Sequence, residues 1–164
     1  MSPSPSRWPG RVITVSDRVS RGEAEDRSGP AAVARLAAIG VDADIDVVPD
    51  GVSSVADALR AALASDPAVI VTTGGTGPAP RDLTPEATLQ IIERLAPGFV
   101  EAMRAASNQV RPHGMLSRGV AGITGRTLIV NLPGSVSGVE ESLDVIAPAL
   151  PHAIGLLRSE STAH

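Results

Sequence analysis

Three short runs of aliphatic and β-branched residues limit the folds open to this chain: RVITVS (11–16), PAVIVTT (67–73) and LIVNL (128–132). Each is too short for a buried helix and is bounded by turn-forming residues, so each reads as a strand buried on both faces. Between the first two lie segments with helical spacing. PAAVARLAAIG (30–40) has Pro30 in a plausible first turn and Gly40 as a stop, and VSSVADALRAALASD (52–66) carries apolar residues at i, i+3 and i+4 behind a serine cap. VDADIDVVPD (41–50) alternates apolar and acidic residues, as a strand with one exposed face would. Strands alternating with helices predict an α/β domain, a mostly parallel sheet with helices on both faces.

The second half continues the pattern. Thr84 is expected to cap a helix over PEATLQIIERLA with Pro85 in its first turn, and Pro97 to open another over GFVEAMRAASNQV. The stretch SRGVAGITGRTLIVNLPGS reads as a hairpin about a glycine turn. One or two helices, interrupted at Pro148 and Pro151, close the chain. With 164 residues and one composition zone, the expectation is a single domain over 11–158, with tails at 1–10 and 159–164.

Composition narrows the chemistry. There is no cysteine, which excludes disulfides, thiolate catalysis and zinc–thiolate sites. There is no tyrosine and no lysine, so all 14 basic residues are arginine, and neither a Schiff base nor a P-loop lysine is available. Trp8 and Phe99 are the only aromatic residues, which removes a stacking platform for single-stranded nucleic acid. The net charge of −4 offers no general attraction to nucleic acid or to an anionic membrane. The polar, proline-rich start has no signal-peptide core, and no apolar run approaches the roughly 20 residues of a membrane span. A cytoplasmic protein is expected.

In open α/β sheets, ligands bind beyond the carboxyl ends of the strands. VIVTTGGTG is such a place. Successive backbone N–H groups through Thr73, Gly74, Gly75, Thr76 and Gly77 can form an anion-binding nest, with threonine hydroxyls as further donors; a plain strand-to-helix turn is the alternative. The loop is neither a P-loop nor a dinucleotide fingerprint. Asp82 follows it, where an aspartate could simply favour a helix N-terminus. Asp50 ends the second strand, where it could simply form a turn before Gly51. Together the two carboxylates raise a problem for a polyphosphate. At about 4 Å and an effective dielectric near 20, each like-charge contact costs about 4 kcal/mol. The pairing makes sense if Mg²⁺ bridges carboxylates and phosphate oxygens, which points to phosphoryl or nucleotidyl transfer.

Two further loops reach the same edge. EDRSGP places Asp26, Ser28 and Gly29 at the start of the first helix, as a polar pocket or an N-cap. NLPGS places Pro133, Gly134 and Ser135 after the last strand, as part of a site or as a turn. His113, His152 and His164 have no spacing that suggests a metal site or a triad. Arg81 and Arg118 could bind phosphate or be exposed charges.

The motifs ITVSDR, EDRSGP, VVPDG, VTTGGTGPAPRDLTPEA, PGFVEAMR, MLSRGVAGI and LIVNLPGS, in this order over about residues 11–158, resemble the MogA/MoaB family of molybdenum-cofactor biosynthesis proteins, whose domain also occurs in gephyrin. The resemblance implies a Rossmann-like three-layer domain with a small hairpin subdomain. It implies molybdopterin adenylyltransferase activity, using ATP and Mg²⁺ and releasing pyrophosphate. It implies functional aspartates at Asp50 and Asp82, a substrate-binding loop at Thr73–Gly77, and substrate loops at Ser117 and Pro133–Ser135. It further implies a homotrimer or a hexamer, and a downstream molybdate-inserting protein as a possible partner. A catalytically inactive pterin-binding or scaffolding paralogue is the alternative.

Overall fold

The computed structural model describes residues 7–158; the expected tail at 159–164 and most of that at 1–10 lie outside them. The strands are β1 (Trp8–Val15), β2 (Val41–Val48), β3 (Val69–Thr73), β4 (Arg94–Leu95), β5 (Ala121–Thr124) and β6 (Thr127–Leu132). The helices are α1 (Asp17–Ser20), α2 (Ser28–Ala37), α3 (Val52–Leu63), α4 (Thr84–Leu89), α5 (Pro97–Val110), α6 (Val136–Ile146) and α7 (Leu150–Leu157), with a 3-10 turn at Pro112–Leu116. The six strands form one sheet in the order β2-β1-β3-β6-β5-β4. β2, β1, β3 and β6 run parallel, and the hairpin β5–β6 turns the remaining edge antiparallel. No helix among the described residues is long and apolar enough to cross a membrane.

The apolar strand runs serve two cores at once, because successive side chains on a strand point to opposite faces. Val12, Val69, Val71, Leu128 and Val130 pack with Leu36 of α2, Val100 of α5, Leu143 of α6 and Ile154 of α7. Ile13, Ile70 and Ile129 point the other way, onto Val55 and Leu59 of α3 and Ala87 of α4. All three isoleucines are fully buried. Each such burial is worth about 1.5–3 kcal/mol, and doing it on both faces holds the central strands rigid.

Several local expectations are corrected. β1 starts at Trp8, so Trp8–Gly10 belong to the sheet and not to a tail. Gly10 lies tight against β2, where a Cβ would come 2.5 Å from Val41 Cγ1. The helix expected over 85–96 ends at Leu89. Backbone pairing draws the rest of that segment onto the sheet, Glu93 N donating to Ile123 O at 3.0 Å, which makes Arg94–Leu95 an edge strand. α3 has Gly51 at its N-cap with no side-chain cap, and Ser54 Oγ donates back to Pro49 O and Gly51 O.

From β1 the chain crosses to β2 on one side, whereas from β3 it runs toward β6 on the other. The connections leaving β1 and β3 therefore part in opposite directions. The gap between their carboxyl ends is the crevice such sheets use for ligands.

Candidate active site

The glycine loop fills that crevice. Gly74 and Gly75 both have left-handed backbone, at φ +92° and +69°, a conformation glycine adopts without the cost of a Cβ. Space excludes other residues as well. A Cβ on Gly74 would lie 2.4 Å from Val15 O, and one on Gly75 would lie 2.3 Å from Thr84 Oγ1. Thr84 is not the cap expected. It is the first residue of α4 behind Leu83, and its hydroxyl donates to Gly74 O at 2.9 Å. The threonine thus fastens the loop to the helix.

Most of the expected site residues gather round this loop. Asp50 Oδ1 faces Gly75, 3.4 Å from the position of an added Cβ, and Asp82 Oδ2 faces Gly77, at 2.9 Å by the same measure. Gly134 brings the third loop in, a Cβ there meeting Gly74 Cα at 3.2 Å. Ser28 Oγ lies 3.0 Å from Thr73 Oγ1, which joins the start of α2 to the end of β3. The side chain of Thr76 is buried within the loop.

Two expected residues, Asp26 and Ser135, spend their side chains on architecture. Asp26 accepts from Thr14 Oγ1 at 2.9 Å and from Gly29 N at 3.0 Å, which anchors the first turn of α2. Gly29 is needed because a Cβ would come 2.3 Å from Asp26 Oδ2. Ser135 caps α6, accepting from Gly138 N at 3.0 Å. Ser117 and Pro133 line a cavity of about 310 Å³ between α5 and α6. It is lined by Val100, Met103 and Val110 on one helix and Val145 on the other, together with Arg104, Glu141 and Asp144. An adjoining recess of about 250 Å³ extends to Thr76, Gly77 and Ser135, and so links the cavity to the glycine loop.

The sequence reading passed over Asp17 and Asn131, and it left Arg118 between phosphate binding and a plain exposed charge. Asp17 exchanges hydrogen bonds with Asp50: Asp17 N donates to Asp50 Oδ2 and Asp50 N to Asp17 Oδ1, both at 3.1 Å, while Asp17 Oδ2 pairs with Arg81. Asp17 sits just past the carboxyl end of β1, so the edge rule that selects Asp50 could have selected it too. Arg118 clamps the segment after the glycines. Its N donates to Thr76 O, its Nε to Gly77 O and its Nη2 to Asp82 O, and its guanidinium also makes a two-point pair with Glu86. The hydrogen bond from Arg118 holds the Glu86 carboxyl below the ordinary glutamate range, with the guanidinium charge adding to it. Asn131 is buried and joins β6 to its neighbours: Nδ2 donates to Thr72 Oγ1 and Thr88 Oγ1, and Oδ1 accepts from Val120 N.

Among the described residues, no three His, Cys, Asp or Glu side chains converge to cage a metal. The two aspartates beside the loop offer less than a cage. Asp50 Oδ2 and Asp82 Oδ2 accept from backbone amides, Asp82 from Ala79 N at 3.1 Å, and no hydrogen bond among the described residues engages either Oδ1. One or two hard carboxylate oxygens next to a phosphate site is the donor set Mg²⁺ takes, its other positions going to water and phosphate.

Comparison with known proteins shows the family of the chain. Residues 11–152 match the family described as a probable molybdopterin binding domain. Gephyrin from Dictyostelium discoideum is 43% identical over 93% of this chain, although the chain spans only 23% of gephyrin's length. The molybdopterin adenylyltransferase of Helicobacter pylori J99 is 38% identical, over 89% of this chain and 85% of its own. Among solved structures, the molybdopterin biosynthesis enzyme MoaB from Thermus thermophilus superposes with a TM-score of 0.87. It is 42% identical and covers 93% of this chain and 97% of its own.

Proposed function

The chain belongs to the molybdopterin-binding domain family, and on that premise we propose that it is a molybdopterin adenylyltransferase, a nucleotidyltransferase that joins AMP from ATP to molybdopterin. The observation that carries this reading is the meeting of four loops at one sheet edge. The Asp50 loop, the segment bearing Asp82 and the turn at Gly134 all close on the fourth, the glycine loop Gly74–Gly77.

In the proposed reaction, an oxygen of the terminal phosphate of molybdopterin attacks the α-phosphorus of ATP. A new P–O bond forms, the bond from the α-phosphorus to the bridging oxygen breaks, and pyrophosphate leaves with the electron pair. The nucleophile is already ionised, so no strong general base is required, and a chain without lysine, cysteine or tyrosine lacks nothing for this step. The backbone amides of Gly75, Thr76 and Gly77 position phosphate oxygens without having to reorganise during the reaction, while Gly74 N is spent on Leu132 O. Asp50 and Asp82 would hold Mg²⁺, which supplies neutralisation of charge on the pyrophosphate leaving group. The cavity bounded by Ser117 and Pro133 gives room for the pterin, and its recess leads to the glycine loop. A homotrimer or hexamer, a cytoplasmic setting and hand-over to a molybdate-inserting protein complete the reading.

The test is pyrophosphate release from ATP, Mg²⁺ and molybdopterin. Wild-type protein should release it, and Asp82→Asn should lose at least about a hundredfold in rate with pterin binding retained. Wild-type turnover by Asp82→Asn would overturn the assignment of Asp82. Tight pterin binding by the wild type without pyrophosphate release would replace the enzyme with a binding protein.

A further inference from the structure

We propose that Asp17 is a positioning residue that fixes the two aspartates of the site relative to each other. This rests on the reading of Asp50 and Asp82 as the metal-binding pair. One Asp17 oxygen accepts from the backbone N–H of Asp50, and Asp50 Oδ2 accepts from the backbone N–H of Asp17 in return. The reciprocal bonds fix both the Asp50 main chain and the rotation of its carboxylate. They leave Asp50 Oδ1 facing Gly75.

The other Asp17 oxygen pairs with Arg81, the residue next to Asp82. Asp82 is held in turn by Ala79 N through its carboxylate and by Arg118 through its carbonyl. A single side chain, only 16% exposed, therefore ties the loop after β2 to the loop after β3. These loops have no other hydrogen bond to each other through Asp50 or Arg81 among the described residues. Without Asp17, the Asp50 amide loses its partner and the approach of the two loops loses its strut. The charge of Arg81 is held on Asp17, and no salt bridge among the described residues joins Arg81 to Asp82.

Outer residues that orient metal ligands typically contribute 10- to 100-fold in affinity. The experiment measures Mn²⁺ binding by electron paramagnetic resonance, in the presence of ATP, on the full chain. It is joined by hydrogen-exchange protection of the Asp50 amide and by adenylyl-transfer kinetics against Mg²⁺ concentration. Asp17→Ala should weaken Mn²⁺ binding about tenfold or more, raise the Mg²⁺ needed for half-maximal rate by a similar factor, and strip protection from the Asp50 amide. Asp17→Asn keeps an acceptor for that amide but gives up the ion pair with Arg81, so it should restore protection and recover only part of the lost Mn²⁺ affinity. Arg81→Gln changes an exposed side chain, so it tests the loop tie if Asp17→Ala fails to fold; it should weaken Mn²⁺ binding by a smaller factor. Unchanged Mn²⁺ affinity in Asp17→Ala and Arg81→Gln, or equal defects in Asp17→Ala and Asp17→Asn, would overturn the proposal. If the wild type binds Mn²⁺ and ATP but transfers no adenylyl group, the enzymatic reading fails, while the binding and exchange data still decide the role of Asp17.

Discussion

Gly75 shows how much one residue carries at this site. Its backbone has φ +69°, and the space where a side chain would start is occupied by the Thr84 hydroxyl. Alanine there would meet the left-handed backbone cost of about 1–2 kcal/mol and would also have to displace a threonine whose bond to Gly74 O fastens the loop to α4. Gly75→Ala should therefore lower the urea midpoint and reduce adenylyl transfer more than global stability alone explains. Full activity in a stably folded Gly75→Ala protein would show that the loop conformation does not matter to function. Thr84 carries a lesson at the same scale. Its place before Pro85 reads as an N-cap, but the hydroxyl forms a bond ten residues away in sequence that no local pattern contains.

Among the elements, the segment from Thr76 to Glu86 is held from outside by Arg118. Glu86 is on α4, and its two-point pair with Arg118 leaves three carbonyl bonds of that arginine aimed at the loop. The folded protein holds the Glu86 pKa below its ordinary value, chiefly through the hydrogen bond from Arg118. A lowered folded-state pKa means that the stabilisation is complete above the unfolded value. It is lost as the pH falls through the folded one. Both side chains are substantially exposed, so solvent screens the pair and the global effect is small. Comparing urea midpoints of wild type and Glu86→Gln should give a difference that stays constant above about pH 5 and shrinks in more acid solution. Limited proteolysis within 76–82 should be faster in Glu86→Gln at neutral pH. A difference that widens with acidification would contradict this account. The helical reading of residues 90–96 failed at this scale too. Ile91 and Ile92 continue a helical apolar spacing, but the unpaired edge of β5 offers hydrogen bonds that the helix end cannot match.

For the molecule as a whole, Asn131 is the polar pin between the sheet and its helices. It is 1% exposed and bonds β3, α4 and the approach to β5. Asn131→Ala would leave the buried Thr72 hydroxyl and the part-buried Val120 amide without this partner, while the Thr88 hydroxyl keeps its bond to Thr84 O. Each unsatisfied group costs about 1–3 kcal/mol, so a loss of about 3 kcal/mol in chemical denaturation is expected, together with a loosened cavity wall. A loss below about 0.5 kcal/mol would mean that the network relaxes without cost. Much was determined by the sequence alone. The short apolar runs and their helical spacers dictate a parallel α/β sheet, because only burial on both faces suits strands with no polar side. The glycines after β3 and Asp50 after β2 lie at the carboxyl edge of the sheet for the same topological reason. Tertiary structure alone decided which carboxylate holds which. Asp17 meets Asp50 from 33 residues away, Arg118 meets Asp82 from 36, and Gly134 reaches Gly74 across the sheet. Such partnerships depend on strand order and on the direction of crossover, and spacing along the chain records neither.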